Sequence, residues 1–327
     1  MHTFVTGAAG FVGSSLVDRL LQAGHSVVGF DDFSTGRPEF LAAAYRDTNF
    51  RLERGSVLDG SHMQRAMQGC DFVFHLAANA DVRFGLDHPR RDLDQNVIAT
   101  WNVLEAMRAS HVGRLAFTST GSIYGESRVI PTPEDAPFPI QNSLYGASKL
   151  AAEGLISAYC EGFGMRAHIF RLVSIMGERY THGHVLDFYR QLLQHPGHLY
   201  VLGDGKQKKS YLYVQDCIEA ILLSLEAAPE RVNIFNLGLD EYSEVNHSIR
   251  WICEHLGLHP EIRYGGGDRG WVGDSPFIYL NCARMRNLGW TPRLGIRESV
   301  IRTVQFLQQN HWVLNAREAT PVSAGSA

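Results

Sequence analysis

The chain has 327 residues, 45% of them hydrophobic and 20% charged, with a formal net charge of -4; this is a globular composition, which excludes a disordered chain and a basic nucleic-acid surface. Its five cysteines, Cys70, Cys160, Cys217, Cys253 and Cys282, stand singly with no C-x-x-C pair, which excludes a disulfide scaffold and fits a reducing cytoplasm. No apolar run reaches bilayer length, and with a strand-like run beginning at His2 no leader segment is expected.

Taken in chain order, the first half alternates short β-branched or aromatic runs with longer helical patterns, which predicts a parallel sheet with helical crossovers. Strands are predicted at 3–6, 26–31, 50–53, 72–76, 114–119 and 167–172, and helices near 12–23, 61–67, 93–108 and 144–161. The fold class is therefore α/β, a doubly wound parallel sheet of the Rossmann kind. After Arg171 the pattern loosens: 177–183 reads as a loop before a helix at 185–194, and 211–214 and 233–237 read as strands returning to the main sheet. Ser243 is placed to cap a helix running to Leu256 and ended by Gly257, 264–276 reads as a loop, and short helices are predicted at 283–288 and 296–309. Length favours about two lobes of about 150 residues each. The predicted division is a dinucleotide-binding domain over 1–174 with returns near 211–238, a smaller interleaved α/β lobe over 175–210 and 239–315, and a frayed tail over 316–327.

Gly7-Ala8-Ala9-Gly10-Phe11-Val12-Gly13 follows the first strand and opens a helix. Glycine thus falls where backbone amides must approach a pyrophosphate and where helix and sheet must pack closely. Asp31 ends the second strand, eighteen residues beyond Gly13, where a carboxylate accepts hydrogen bonds from the adenosine ribose. The same charge repels a 2′-phosphate, which favours NAD over NADP.

Tyr145 and Lys149 are four apart in a helical segment and project from one face. An ammonium beside a phenol favours phenolate, which makes tyrosine a general base. The spacing alone also occurs on solvated helix faces. Thr120 adds weight, because it follows a predicted strand and emerges at the carboxyl edge of the sheet, where ligands bind in such folds. Fifteen histidines, including His182, His184, His195 and His198, have no acidic or cysteine partner at ligand spacing, so no metal site is expected. His75 reads as structural.

These residues, with D-D-F-S-T-G at 31–36, H-L-A-A at 75–78, N-V-L-E-A at 102–106, S-T-G-S-I-Y-G at 119–125, Y-G-A-S-K at 145–149, G-D-G-K-Q-K-K-S-Y-L-Y-V at 203–214 and D-R-G-W-V-G-D at 268–274, resemble the extended short-chain dehydrogenase/reductases. The branch they resemble is the NAD-dependent epimerase/dehydratase family, near the UDP-glucose 4-epimerases, and the resemblance covers nearly the whole chain. It implies cofactor contacts from Gly7, Gly10, Phe11, Val12, Gly13, Asp31, Ser56, Val57, Leu76, Ala77, Ala78, Asn96, Ser119, Tyr145 and Lys149. It implies substrate contacts from Thr120, Ser122, Tyr145, Ser174, Lys209, Arg269 and Asp274, with Lys206 and Lys208 as equal alternatives to Lys209.

The implied reaction is epimerisation at C4 of a nucleotide-bound sugar, a UDP-hexose or UDP-uronic acid, through a 4-keto sugar, by a homodimer whose helices 93–108 and 144–161 meet their copies. Relatives that dehydrate carry an Asp-Glu pair after the catalytic hydroxyl residue, and decarboxylating ones a glutamate two residues after it; here those places hold Gly121 and Ser122. Two departures stand out: Ser174 replaces an asparagine common in the family, and Ser56 replaces an adenine-contacting aspartate. A 4-keto reductase or sugar dehydrogenase would use the same three catalytic residues, and a non-catalytic dinucleotide-binding regulator would keep only the fold.

Overall fold

The computed structural model describes residues 1–79, 84–138 and 140–317. Its centre is a seven-stranded sheet built from β1 (His2–Thr6), β2 (Ser26–Asp31), β3 (Phe50–Arg54), β4 (Phe72–His75), β5 (Arg114–Thr120), β6 (Arg166–Leu172) and the later strand Val232–Leu237. Across the sheet the order is Val232–Leu237, β6, β5, β4, β1, β2, β3, and every neighbouring pair is parallel. The order reverses between β4 and β1, so the crevice for a ligand lies at the carboxyl ends of those strands.

Successive strand residues face opposite sides, and both sides are apolar. Val5, Val27, Phe72, Phe74, Ala116 and Phe170 belong to one core, while Phe4, Val28, Phe30, Val73, Leu115, Phe117 and Ile169 belong to the other. This double burial is why the strands read as nearly continuous apolar runs, and each such phenylalanine contributes about 2 kcal/mol by leaving water. The helix Leu144–Phe163 starts where the Ser143 hydroxyl accepts the Gly146 amide and stops at Gly164 in the left-handed conformation. That serine cap contributes about 1 kcal/mol.

The predicted elements of the first half lie within one or two residues of the observed ones, except that 93–98 winds as a π-helical turn, Leu93–Ile98, before Ala99–Ala109. The second lobe departs further. The segment 211–214 does not return to the main sheet: Tyr211–Tyr213 pairs in parallel with Ser174–Met176 in a sheet of two, because the place beside β6 is taken by Val232–Leu237. Ser243 caps no helix; it lies in Ser243–Glu244, antiparallel to Lys208–Lys209, and Val245–Leu256 follows Glu244 and ends at left-handed Gly257. Tyr264 ends the strand Glu261–Tyr264, exposed along its whole length and paired with His198–Val201, of which only Leu199 and Val201 are buried. The tail expected to fray, 316–327, lies from 318 onward outside the described residues.

Among the described residues no helix is long and apolar enough to cross a membrane, and no group of three or more metal-ligating side chains is found. All five cysteines are free and buried.

Candidate active site

The glycine loop closes at the crevice. Gly7 has φ 69°, and a Cβ there would fall 2.8 Å from the Ala77 amide nitrogen. A Cβ on Gly13 would lie 2.0 Å from the Gly7 carbonyl oxygen. No other residue fits either place, and the close approach leaves backbone amides facing the crevice. The helix Phe11–Gln22 begins at Gly10 with no side-chain cap and no acidic residue in its first turn, so its orphan amides suit an anion such as a pyrophosphate. Phe11 is buried edge-on against Tyr180, whereas Val12 is partly buried against the core.

Asp31 ends β2 and braces this loop: Oδ2 accepts the Ala9 amide at 2.9 Å and Oδ1 accepts the Phe33 amide at 2.8 Å. Burial pushes its carboxyl pKa up, and these two amides pull against it. A carboxylate has about four acceptor sites, so capacity remains for two ribose hydroxyls. Further along, the Ser56 hydroxyl accepts the Leu58 amide and the Val57 carbonyl accepts Asn102 Nδ2 at 3.0 Å. The residues present thus fit NAD.

At the tips of β1 and β4 the Thr6 hydroxyl accepts the Leu76 and Ala77 amides, each at 3.2 Å, and meets His75 Nδ1 at 2.8 Å. The Thr100 hydroxyl donates to the Asn96 carbonyl and meets His75 Nε2 at 3.1 Å. With the Thr100 proton engaged, Nε2 is the donor and Nδ1 the acceptor, which is a neutral imidazole. Burial, helped by the Lys149 charge, pushes its pKa down to about 3. His75 is therefore a strut that shapes 76–78, the segment facing Gly7.

Asn96 lies in the π-helical turn and is 1% exposed. Its Oδ1 accepts the Asn79 amide at 2.9 Å, and its Nδ2 donates to the Ser148 hydroxyl at 2.9 Å and to Asp92 at 3.3 Å. Its side chain thus joins 76–79 to the helix of Tyr145 and Lys149.

Thr120 is the last residue of β5 rather than the one after it. Its hydroxyl accepts the Ser122 amide at 3.1 Å and donates to the Ser122 hydroxyl at 3.2 Å, and it favours the ionised form of the nearby Tyr145 phenol. Tyr145 and Lys149 project from the same face of Leu144–Phe163. Burial pushes the phenol up to about 12, the Thr120 hydroxyl opposes this and the Asp92 charge adds to it. Burial likewise pushes the Lys149 ammonium down to about 7, with Glu153 opposing. The Lys149 ammonium is buried 4.0 Å from the Phe117 ring centre, one helical turn from the phenol it is expected to favour as phenolate. Ser119, Glu153 and Arg171 lie directly behind these residues; the spacing of Glu153, eight after Tyr145, was the available signal.

On the far wall the loop 269–275 approaches the catalytic end. Ser275 donates its hydroxyl to the Gly125 carbonyl at 3.1 Å, and Asn142 Nδ2 donates to Ser275 at 3.2 Å. Lys209 pairs with Asp274 at 2.6 Å, and Arg269 pairs with Glu126 at 2.7 Å while donating to the Asp274 carbonyl at 2.9 Å. Of the three neighbouring lysines, Lys206 is exposed and Lys208 lies over the Tyr242 and Phe277 rings, so Lys209 is the one joined to this loop. Ser174 is exposed at the start of its short strand.

Comparison with known proteins agrees with this arrangement. The profile of the NAD dependent epimerase/dehydratase family matches residues 3–238. A putative UDP-glucose 4-epimerase of Methanocaldococcus jannaschii is 31% identical over 94% of this chain and 98% of its own. UDP-glucuronic acid decarboxylase 1 of Arabidopsis thaliana is 35% identical over 97% of this chain and 72% of its own. Among solved structures, a UDP-galactose 4-epimerase superposes with a TM-score of 0.86 at 36% identity, covering 95% of this chain and all of the other. The chain belongs to the NAD-dependent epimerase/dehydratase family, and its cofactor is NAD.

Proposed function

We propose that the chain is a nucleotide-sugar 4-epimerase acting on a UDP-hexose or UDP-uronic acid, with Thr120, Tyr145 and Lys149 as its catalytic residues. The observation that carries this reading is the convergence of Thr120, at the carboxyl edge of β5, on the phenol of Tyr145, which it favours in the ionised form, one helical turn from Lys149. NAD, when bound, would supply the hydride acceptor and, once reduced, the hydride donor. The Tyr145 oxygen takes the proton of the sugar 4-hydroxyl and later returns it, while the Thr120 hydroxyl orients the same oxygen. Lys149 adds positive charge on the phenol's own helix face, which favours phenolate once the crevice is filled.

Lys209 and Arg269 are the groups for the diphosphate, which exchanges places with their present partners Asp274 and Glu126. Held there, the sugar can turn and present its other face. Ser174, shorter than asparagine, favours a sugar with an added carboxylate. Decarboxylation is the second reading, because a decarboxylase is among the relatives. Against it, Thr120 is followed by Gly121 and Ser122, which puts no carboxylate where decarboxylating relatives carry a glutamate.

The same reading divides the chain into an NAD domain over 1–174 and a substrate lobe over 175–210 and 239–315, places it in a reducing cytoplasm to suit its free cysteines, and makes it a homodimer. Leu93, Ile98, Trp101, Leu144 and Phe163 support the last point: all are exposed, on two helices tied together by Tyr159 and Glu105 at 2.7 Å.

Incubation of the purified protein with UDP-, dTDP- and GDP-sugars, uronic acids included, followed by NMR, tests the reading. The expected outcome is C4 inversion with no net change in NADH. One-to-one NADH turnover would instead identify a reductase or dehydrogenase, carbon dioxide release a decarboxylase, and no conversion a dinucleotide-binding regulator.

A further inference from the structure

Tyr145, Lys149 and Glu153 stand at successive fours along Leu144–Phe163 and share one helix face. Glu153 is 4% exposed. Ser119, the residue before Thr120, donates its hydroxyl to Glu153 Oε1. From β6, Arg171 Nε donates to both carboxylate oxygens at 3.2 Å and Nη2 donates to Oε2 at 2.8 Å. One carboxylate therefore fastens the helix of Tyr145 and Lys149 to two strands at once.

Arg171, 2% exposed, is held in turn. Its Nη1 donates to the Tyr124 hydroxyl and to the Glu134 carbonyl, each at 2.7 Å, and the Tyr124 hydroxyl donates to Asn236 Oδ1 at 2.9 Å. Well-packed apolar side chains often stabilise such a site as well as a buried ion pair does. Stability alone thus gives no reason for the charges, whereas their place behind Thr120 and Lys149 does.

We propose that Glu153, with Arg171 as its counter-ion, is a positioning residue that holds the Ser119–Thr120 strand end and the Lys149 ammonium in one frame and sets the negative charge that Lys149 faces. This rests on the reading of Thr120, Tyr145 and Lys149 as catalytic. The titratable groups facing Lys149 are Tyr145 and Glu153 from its own helix and His75 from β4; Glu153 faces Lys149 and, from β6, Arg171, whose far side meets Tyr124 and Glu134. His75 is neutral, so Glu153 is the charge that favours ammonium.

The test compares the parent holoenzyme with Glu153→Gln/Arg171→Met, which removes both charges together, and with the milder Glu153→Asp, which withdraws the carboxylate by one carbon. Thermal unfolding and NAD binding first establish which variants fold. In the paired variant kcat falls by about a hundredfold, KM for the nucleotide sugar changes by less than about threefold, and the alkaline limb of the kcat profile moves to lower pH. Glu153→Asp moves in the same directions by less. A folded variant with parental kcat and an unmoved limb overturns the proposal.

A second readout needs no turnover. The chain has four lysines, Lys149, Lys206, Lys208 and Lys209, so NMR of lysine-labelled protein follows Lys149 directly. Its titration is expected at lower pH in each folded variant, and a Lys149 that titrates as in the parent sinks the idea. A parent without turnover on any nucleotide sugar defeats the functional reading alone, and the lysine titration still decides this one.

Discussion

The Nδ1 atom of His75 lies 2.8 Å from the Thr6 hydroxyl, joining the tips of β4 and β1 where the strand order of the sheet reverses. Folding holds this imidazole neutral by lowering its pKa from 6.5 to about 3. Its contribution to stability is therefore full above pH 6.5 and is lost as pH falls from there toward 3, a span worth on the order of 5 kcal/mol. His168 and His184, both pushed down to about 4 mainly by burial, act in the same window. Urea unfolding at stepped pH should show stability falling below pH 6.5, and His75→Gln should flatten that fall while lowering stability at pH 7 by about 1–2 kcal/mol.

Tyr145→Phe removes the proton acceptor and keeps the ring. Turnover is expected to drop by about a thousandfold, with NAD still bound in the purified protein. Nucleotide-sugar conversion by NMR and the absorbance of released cofactor measure the two effects separately, and undiminished turnover would reject Tyr145 as the base.

Asp31→Ser removes the charge opposed to a 2′-phosphate but leaves the Ala9 and Phe33 amides with a weaker acceptor. Affinity for NAD should fall and that for NADP rise, changing their ratio by at least about tenfold. Equilibrium dialysis against each dinucleotide checks this.

Trp101 is 46% exposed on the helix Ala99–Ala109. A homodimer through this face should dissociate when Trp101→Glu buries a charge there, while a monomer should be indifferent. Sedimentation of parent and variant at micromolar concentration gives the answer; a monomeric parent would remove the interface from the account.

The first half of the fold was legible because both sheet faces are buried: Phe4 and Val5, pointing opposite ways, write the same apolar signal into the sequence. Gly7, Gly13, Asp31, Thr120, Tyr145 and Lys149 were legible for a related reason, since each answers a local demand of a turn, a strand end or a helix turn. The second lobe hid itself. Tyr211–Tyr213 is as apolar as a main-sheet strand, and only the presence of Val232–Leu237 beside β6 decides where it pairs. Partners far apart in sequence were also invisible: nothing local announces that Glu153 meets Arg171, or that Lys209 meets Asp274 sixty-five residues on.

On the proposed reading of Lys209 and Arg269 as the groups for the diphosphate, their pairs with Asp274 and Glu126 cancel much of the positive potential there before any anion arrives. In a chain of net charge -4, long-range attraction then does little to gather polyanions, so added salt should slow capture of a nucleotide only weakly. Discrimination is deferred to contact, where an anion must outbid two resident carboxylates, and free inorganic phosphate, lacking the second phosphate and the base, competes poorly for the same cations.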